Sequence, residues 1–230
     1  MKTKYFKQTA LIFFASLLLF GCKKEYVDSK PTFWPVIKIN GDEVTVINQG
    51  DTYTEQGATV TENGAPIDYL TEGTVDNTEY GAYLVSYSAV NVDGIAATKT
   101  RIVLVVDPAA LNDDISGDYY RSTTACVSTW AKAPQSSPYT YTLNNPGGVG
   151  AAGVPNAAFN VIATAYYVAP GVVVLPLQQA GGLSPFFAST SIGGSLQIPF
   201  NPAAASGSTA YVWAMNGPNF GPSARTFKKQ

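Results

Sequence analysis

The chain has 230 residues, a formal net charge of −2 and 13% charged residues. Because the charge is near zero and no basic stripe is present, the sequence argues against a nucleic-acid partner. Histidine, the commonest general base and metal ligand near neutral pH, is absent. The 21 glycines, 15 prolines and 14 tyrosines favour a turn-rich β protein over a helical one.

The first 21 residues have the pattern of a secretory signal peptide. Lys2, Lys4 and Lys7 form a basic segment, and an apolar run follows from Ala10 to Phe20. That run is shorter than the ~20 apolar residues that a membrane-spanning helix needs. We therefore predict that residues 1–21 are a signal peptide that is removed on export.

The end of this segment, Leu19-Phe20-Gly21-Cys22, resembles the lipobox of bacterial lipoproteins, although Phe20 stands where a smaller residue is usual. The resemblance implies cleavage before Cys22, a diacylated thiol and an acylated N-terminus. Two or three acyl chains anchor a protein firmly where one would not. The prediction is a lipidated tether over residues 22–33; an ordinary signal peptide with an incidental Cys22 is the alternative.

The residues just after Cys22 bear on the location of the protein. Lys23-Lys24-Glu25 resemble the charged surface-export signals of glycan-foraging Gram-negative bacteria. The resemblance implies an outer-membrane lipid anchor with display at the cell surface, and the periplasmic leaflet is the alternative. With Cys22 lipidated, Cys126 is the only thiol left, so no intrachain disulfide forms, and we expect Cys126 to be buried.

Residues 34–107 read as short strands separated by turns. Tyr80 to Val90 is the clearest strand, with Val85, Tyr87 and other alternate residues on one face. Turns are indicated at Asn40-Gly41-Asp42 and Glu62-Asn63-Gly64, where glycine permits positive φ. This regular spacing predicts a β-sandwich.

Three strings in this segment are similar to a bacterial immunoglobulin-like repeat. They are Gly50-Asp51-Thr52-Tyr53, the strand from Tyr80 to Tyr87 and the terminal run from Arg101 to Val106. The resemblance implies an immunoglobulin-like β-sandwich that serves as a spacer or adhesion module without catalysis.

The segment Asp107 to Asp114 contains Pro108 and clustered small and acidic residues, so it marks a domain boundary. Residues 115–230 again show short strands and turns rich in Gly, Pro, Asn and Ser. We predict an all-β fold throughout, with a second antiparallel β-sandwich or partly closed barrel in this domain. Its opening, Ile115 to Arg121, resembles two-domain surface lipoproteins of starch-utilisation-type glycan uptake systems, which implies a possible outer-membrane transporter complex as partner.

The acidic residues of the second domain argue against an enzyme. A glycosidase needs two carboxylates on opposite sides of the bond it cleaves. After Asp118 there is no acidic residue up to Gln230. Without histidine, neither a serine-hydrolase triad nor a zinc site is indicated. We predict no catalytic residue, no cofactor and no metal site. A calcium ion at Asn40 to Asp42 or Asn91 to Gly94 stays open, although such side chains usually bond their own backbone.

Aromatic residues in the second domain are the candidate ligand-binding residues, because sugar rings stack on flat aromatic faces. Trp130 is placed in a loop over residues 128–137, and Tyr166 and Tyr167 alternate, so one at most is in the core. The alternative is that these aromatics fill the core, which we favour for Tyr211 and Trp213. The candidates are Trp130, Tyr139, Tyr141, Tyr167, Phe186, Phe187 and Trp213.

The sequence thus leads to two functional hypotheses. The first is a non-catalytic, membrane-anchored surface lipoprotein that binds an oligo- or polysaccharide in a capture and uptake system. The second is a structural or adhesion lipoprotein whose C-terminal domain makes protein–protein contacts. Exposed coplanar aromatics favour the first hypothesis, and a contiguous apolar patch favours the second.

Overall fold

The structure is a computed structural model that describes residues 31–151, 154–155, 161–179, 191–216 and 224–230. Its described part consists of strands and one short 3₁₀ helix, which confirms the predicted all-β class. The chain divides into two compact units, Met1–Phe33 and Trp34–Gln230, and the strands that the structure describes belong to the second. No helix in the described residues has the length and apolar character needed to cross a membrane.

The first seven strands form the two sheets of an immunoglobulin-like sandwich. One sheet has the strand order β1-β3-β4 and the other β2-β7-β6-β5. The last strand, β7, pairs parallel to β2 and antiparallel to β6. Apolar side chains from both sheets, including Val60, Val85 and Val103, form the core between them. The strands are β1 (Val36–Ile39), β2 (Val44–Asn48), β3 (Ala58–Glu62), β4 (Ala65–Pro66), β5 (Leu70–Glu72), β6 (Gly81–Val90) and β7 (Ala96–Val106).

Local sequence features of this sandwich behave as predicted. On β6, Val85, Tyr87 and Ala89 are buried, so the alternating face is the core face. The hairpin between β3 and β4 turns at Asn63 and Gly64, with φ of 47° and 82°. Two successive positive φ values are the signature of a tight hairpin turn that matches strand twist.

The predicted boundary contains the 3₁₀ helix, Pro108–Asn112. Asp107 caps this helix because its side chain accepts a hydrogen bond from the amide of Ala109. The backbone amide of Asp107 donates to the carbonyl of Val168, 2.7 Å away. The segment that connects the two domains is therefore hydrogen-bonded to the second domain at its first residue, Asp107.

The second domain is an eight-stranded antiparallel barrel. The sheet closes because β9 pairs with both β8 and β10. Of the two predicted architectures the barrel is the one found, and it closes completely. A small hairpin, β11 (Gly150–Ala151) with β12 (Val154–Pro155), follows β10 and precedes β13 in the sequence. The barrel strands are β8 (Gly117–Arg121), β9 (Val127–Lys132), β10 (Thr140–Asn144), β13 (Ile162–Ala169), β14 (Val172–Gln179), β15 (Ser191–Ile198), β16 (Thr209–Asn216) and β17 (Ala224–Lys229).

Aromatic side chains fill the described interior of the barrel. The rings of Tyr211 and Phe227 stack with centroids 4.8 Å apart, and Tyr119 meets Trp130 edge-on at 6.1 Å. Phe200 stacks on Tyr211 from the other side at 4.9 Å. Such stacked and edge-to-face pairs add to the gain from burying the rings. This part of the barrel interior is a packed core.

The outer face of the barrel at β13 lies against β6 and β7 of the immunoglobulin-like domain. Leu104 and Val106 of β7 belong to the same apolar cluster as the barrel core. This contact explains why Tyr166 and Tyr167 are both buried. The prediction that one at most lies in the core is wrong, because the immunoglobulin-like domain covers the second face of the strand.

The two ends of the barrel differ. Strands β8, β10, β14 and β16 run to one end, which we call the loop end. At the other end, Tyr139 lies near Val44 and Val46 of the immunoglobulin-like domain, around a cavity of about 70 Å³; we call it the immunoglobulin end. Four connections leave the strands at the loop end, through residues 122–126, 145–161, 180–190 and 217–223.

Candidate functional site

Four of the seven candidate aromatics are core residues. The exposed fractions of Trp130, Tyr139, Tyr141 and Tyr167 lie between 1% and 7%. The placement of Trp130 in a loop is wrong, because it lies on β9 at an inward position between exposed Thr129 and Ala131. A sugar ring needs an exposed aromatic face, and these four residues present none.

The polar tips of Trp130 and Tyr167 are bonded inside the protein. Trp130 Nε1 donates to the Tyr211 hydroxyl at 3.0 Å, and the Tyr167 hydroxyl donates to Asp113 Oδ2 at 2.6 Å. The same Tyr167 oxygen accepts from the amide of Gly171 at 2.8 Å. Burial raises the pKa of Tyr211 well above its ordinary value, so this phenol stays neutral. The bonds are those of a satisfied core.

The side chains of the other three candidates lie outside the part of the chain that the structure describes. Trp213 lies on β16, and its side chain is outside the description. Phe186 and Phe187 lie outside the described residues, as does the predicted lipidation site Cys22. Tyr211 is buried, as predicted. In the sequence, Phe186 and Phe187 stand between β14 and β15.

Sequence reasoning missed the arginines of the loop end. Arg225 on β17 is 7% exposed, and Arg121 on β8 is half-buried. Arg225 Nη1 donates to the carbonyl of Gly147 at 2.8 Å. Burial, and then the charge of Arg121, lower the pKa of Arg225. The spacing of two residues between Arg225 and Phe227 could have revealed this position. Residues two apart on a strand share a face, so Arg225 faces inward as Phe227 does.

The loop after β10 is held by one asparagine. Asn145, with φ of 52°, donates from Nδ2 to the carbonyl of Val127 at 3.0 Å. Its Oδ1 accepts from the amide of Val149 at 3.0 Å. Asn145 Nδ2 also contacts Cys126 Sγ at 3.2 Å, and Cys126 is buried as predicted. These bonds give residues 145–149 a defined shape beside Arg225.

The immunoglobulin-like domain contains an ion pair between a buried arginine and a partly exposed glutamate, which sequence reasoning also missed. Arg101, which is 1% exposed, places Nη1 2.8 Å from Glu55 Oε1. The hydroxyls of Tyr53 and Tyr87 and the amide of Gly57 donate to the same carboxylate. Burial alone would raise the pKa of Glu55, but these hydrogen bonds, with the charge of Arg101, hold it below its ordinary value.

This ion pair has a structural role. It joins the segment before β3 to strand β7, residues that are far apart in the chain. An open pocket of about 430 Å³ lies beside it, lined by Tyr53, Glu55 and Val85 among others. Phenol and guanidinium groups satisfy the carboxylate, so it is not a free acid available for catalysis.

The described residues contain no group of three or more acidic, cysteine or histidine side chains placed to hold a metal ion. Asn91 Oδ1 accepts hydrogen bonds from the amides of Asp93 and Ile95, at 3.1 and 2.6 Å. At this loop, the expectation that the side chain bonds its own backbone is confirmed.

The fold defines an all-β protein made of an immunoglobulin-like sandwich and an antiparallel barrel. Residues 37–105 match the family described as a bacterial surface protein, Ig-like domain. This match supports a bacterial surface protein with an immunoglobulin-like domain, as the sequence predicted. No curated protein matches the chain. The crystal structure of a lipoprotein from Bacteroides thetaiotaomicron is 22% identical over 86% of this chain and 100% of that one, with a TM-score of 0.33.

Proposed function

We propose that this protein is a non-catalytic lipoprotein, anchored in the outer membrane through Cys22 and displayed at the cell surface, that captures glycan for uptake. The lipobox-like sequence before Cys22 supports the anchor, and the match of residues 37–105 supports surface display. The transporter complex of a glycan uptake system is the proposed partner.

The observation that carries glycan capture is the difference between the two ends of the barrel. The described part of the interior is packed with aromatic rings, so we place the ligand on the outside of the barrel. The immunoglobulin-like domain lies against one end, and the four connections of the loop end leave from the other. Loops on a rigid scaffold are where binding residues concentrate. Phe186 and Phe187, which follow β14 in the sequence, remain candidates for sugar stacking.

A second candidate function, adhesion through protein contact, is favoured by one surface. Strand β5 is the edge of its sheet, and Leu70 on it is 68% exposed. Val90 and Val92 near by are exposed as well. An exposed apolar edge strand is suited to pair with a strand of another protein. Leu70→Lys would weaken such a contact and leave glycan binding unchanged.

The experiment is a glycan array with the soluble form Glu25–Gln230, which contains the whole compact unit Trp34–Gln230. Trp130→Ala is unsuitable as a binding variant because this side chain is core. Thr123→Trp places a bulky side chain at the loop end, where Thr123 is exposed. Gln135→Trp is the matched control, at an exposed position in the connection at the immunoglobulin end.

We expect a specific glycan signal that Thr123→Trp lowers by at least about tenfold, equivalent to 1.4 kcal/mol, and that Gln135→Trp leaves unchanged. Bound glycans should be recovered uncleaved. An array on which the folded protein gives no signal would contradict glycan capture for the sugars tested and favour the adhesion function. A signal lost in the control variant alone would contradict the loop end as the site.

A further inference from the structure

The most exposed apolar side chains of the described residues belong mainly to the sandwich. Six large apolar side chains of the described part of the chain are more than half exposed, and only Leu177 among them lies on the barrel. Single exposed apolar side chains are ordinary, whereas a cluster of them marks an interaction surface. The five on the sandwich are Trp34, Val36, Leu70, Val90 and Val92, with exposed fractions between 59% and 88%.

The strand pairing places these five residues at one end of the sandwich. The start of β1 pairs with the end of β3, which forms a hairpin with β4. Four residues after Pro66 of β4, Leu70 of β5 pairs with Ser88, close to the end of β6. Val90 is the last residue of β6, and Val92 lies in the turn that follows. We call this end, where β6 turns into β7, the tether pole.

The tether pole and the barrel lie at opposite ends of the sandwich. Strand β7 starts at the tether pole with Ala96 and ends 11 residues later at Val106, next to the connection that is bonded to the barrel. A strand of that length spans about 35 Å. Arg101, midway along β7, donates to the carbonyl of Asn40, which follows β1, so β1 lies on the side of the tether pole.

The chain around Trp34 directs the indole ring outward. Pro35 is buried and Ile37 packs against the core, whereas Trp34, Val36 and Lys38 are exposed. The residue before a proline is held extended, so this alternation begins at Trp34, before β1 starts. Tryptophan is enriched at membrane–water interfaces, and lysine can extend its amine toward headgroups. This face of β1 therefore has the composition of a surface that lies against a membrane.

The position of the proposed lipid anchor brings this pole within reach of a bilayer. Trp34 is the first residue of the compact unit and stands twelve residues after Cys22. A chain of that length spans at most about 40 Å. An anchor at Cys22 makes contact between the pole and the bilayer intramolecular, so a contact of low intrinsic affinity is sufficient.

The charges at the tether pole indicate which kind of membrane surface it fits. Lys38 is positive, Asp68 and Asp93 are negative, and all three are exposed. Because both signs are present, burial of apolar surface rather than lipid charge supplies the attraction. A zwitterionic phospholipid bilayer is the matching surface.

We propose that the tether pole docks on the phospholipid surface of the membrane, with Trp34 in the headgroup region and Val36 and Val92 beside it. The proposal rests on the proposed function, from which it takes the anchor at Cys22. Docking fixes the sandwich with the barrel away from the bilayer. The loop end, on the side of the barrel opposite the immunoglobulin end, then faces away from the membrane.

The test is quenching of tryptophan fluorescence by brominated lipid. The form Cys22–Gln230, which contains the whole compact unit, is coupled through Cys22 to a maleimide-bearing lipid in phosphatidylcholine vesicles. Cys126 is buried and therefore shielded from the reagent. The emission that Trp34→Phe removes is that of Trp34. We expect phosphatidylcholine brominated in its acyl chains to lower this emission about twofold relative to unbrominated lipid.

Two further variants separate docking of the pole from mere closeness of Trp34 to the anchor. Both are made in the Trp34→Phe background, and circular dichroism confirms that they are folded. Val92→Trp adds an indole at the tether pole, far from Cys22 in the sequence, and we expect about twofold quenching of its emission as well. Thr123→Trp adds one at an exposed position of the loop end and is the matched control, for which we expect no quenching.

Three results would overturn the docking surface. In the first, the emission of Trp34 is not quenched, which favours the adhesion function for the same surface. In the second, Trp34 is quenched and the tryptophan of Val92→Trp is not, so only the chain next to the anchor meets lipid. In the third, Val92→Trp and Thr123→Trp are quenched equally, so neither end of the molecule prefers the bilayer.

Failure of the proposed function is distinguishable from failure of docking. Mass spectrometry of the exported protein tests acylation of Cys22 separately. An unmodified Cys22 would contradict the proposed anchor, whereas quenching in the chemically coupled protein would still support the docking surface. A protein that docks but gives no signal on the glycan array would likewise support the tether pole and contradict glycan capture.

Discussion

At the scale of single residues, the chain places its arginines in two kinds of environment. Arg101 is enclosed with a carboxylate and two tyrosine hydroxyls, a closed network that joins distant segments of the sandwich. Arg121 and Arg225 lie at one end of the barrel, in a segment without acidic residues. The first environment stabilises the sandwich, and the second places two positively charged side chains at the loop end.

Glu55→Gln tests the role of the closed network. It leaves the buried charge of Arg101 without its carboxylate, and we expect a loss of about 3 kcal/mol in the free energy of unfolding at pH 7. Glu43→Gln is the control, because the Glu43–Lys99 pair is solvent-exposed and worth about 0–1 kcal/mol. Urea denaturation measures both. Equal effects of the two substitutions would contradict a structural role for Glu55.

The loss of stability caused by Glu55→Gln should depend on pH. The pKa of Glu55 is lower in the folded protein than its ordinary value of 4.5. The stability that ionised Glu55 contributes is therefore present above the unfolded pKa, and it is lost as the pH falls through the folded pKa. The difference in the free energy of unfolding between the unsubstituted protein and Glu55→Gln should shrink below about pH 4.5. A difference that grew on acidification would contradict the assignment.

At the scale of elements, the loop of residues 145–149 is held both by side-chain bonds and by close packing. Asn145 bonds the loop to Val127, the first residue of β9, and to Val149. Gly148 lets the backbone approach Arg121 and Phe227 more closely than any residue with a Cβ would. The shape of this loop thus depends on Asn145 and Gly148, together with the bond that Arg225 donates to the carbonyl of Gly147.

Gly148→Ala tests this close approach. The new Cβ would lie 2.8 Å from Arg121 Cβ at a positive φ, so we expect a loss of about 2–3 kcal/mol from strain and overpacking. Gly94→Ala is the matched control. Gly94 also has a positive φ, but no atom lies within 4 Å of its added Cβ, so about 1 kcal/mol of backbone strain is expected. Thermal unfolding that ranks the two variants in the opposite order would contradict the packing argument.

Elements with strong local patterns were predictable. The alternation on β6 and the Asn63-Gly64 turn specify their conformations within a few residues. The prediction placed Trp130 in a loop because prolines and serines, which are typical of loops, follow directly after β9, a strand of only six residues. The Glu55–Arg101 pair and the burial of Tyr166 result from contacts between distant segments, which no local pattern contains.

At the scale of the whole molecule, the sandwich and the barrel share apolar packing. Leu104 and Val106 from the sandwich belong to the cluster that contains the barrel core. Closure of the barrel likewise depends on pairing between strands distant in sequence, as between β8 and β17. A shared core is expected to couple the unfolding of the two domains.

Leu104→Ala tests that coupling. Leu104 is buried, so we expect a loss of about 2–5 kcal/mol in stability. The unsubstituted soluble form should melt in one calorimetric transition, and Leu104→Ala should lower the melting temperature of the whole unit. Leu70→Ala, at an exposed position, should change the stability by less than about 0.5 kcal/mol. Two separate transitions, of which the substitution shifts one, would contradict a shared core.

Capture at the loop end is tested most directly by amide hydrogen exchange of the soluble form, with and without the glycan that binds most tightly on the array. We expect added protection in residues 122–126 and 145–151, at the loop end, and none in the segment Pro134–Thr140 at the immunoglobulin end. Protection confined to that segment, or to the pocket beside Glu55, would contradict capture by the loop end.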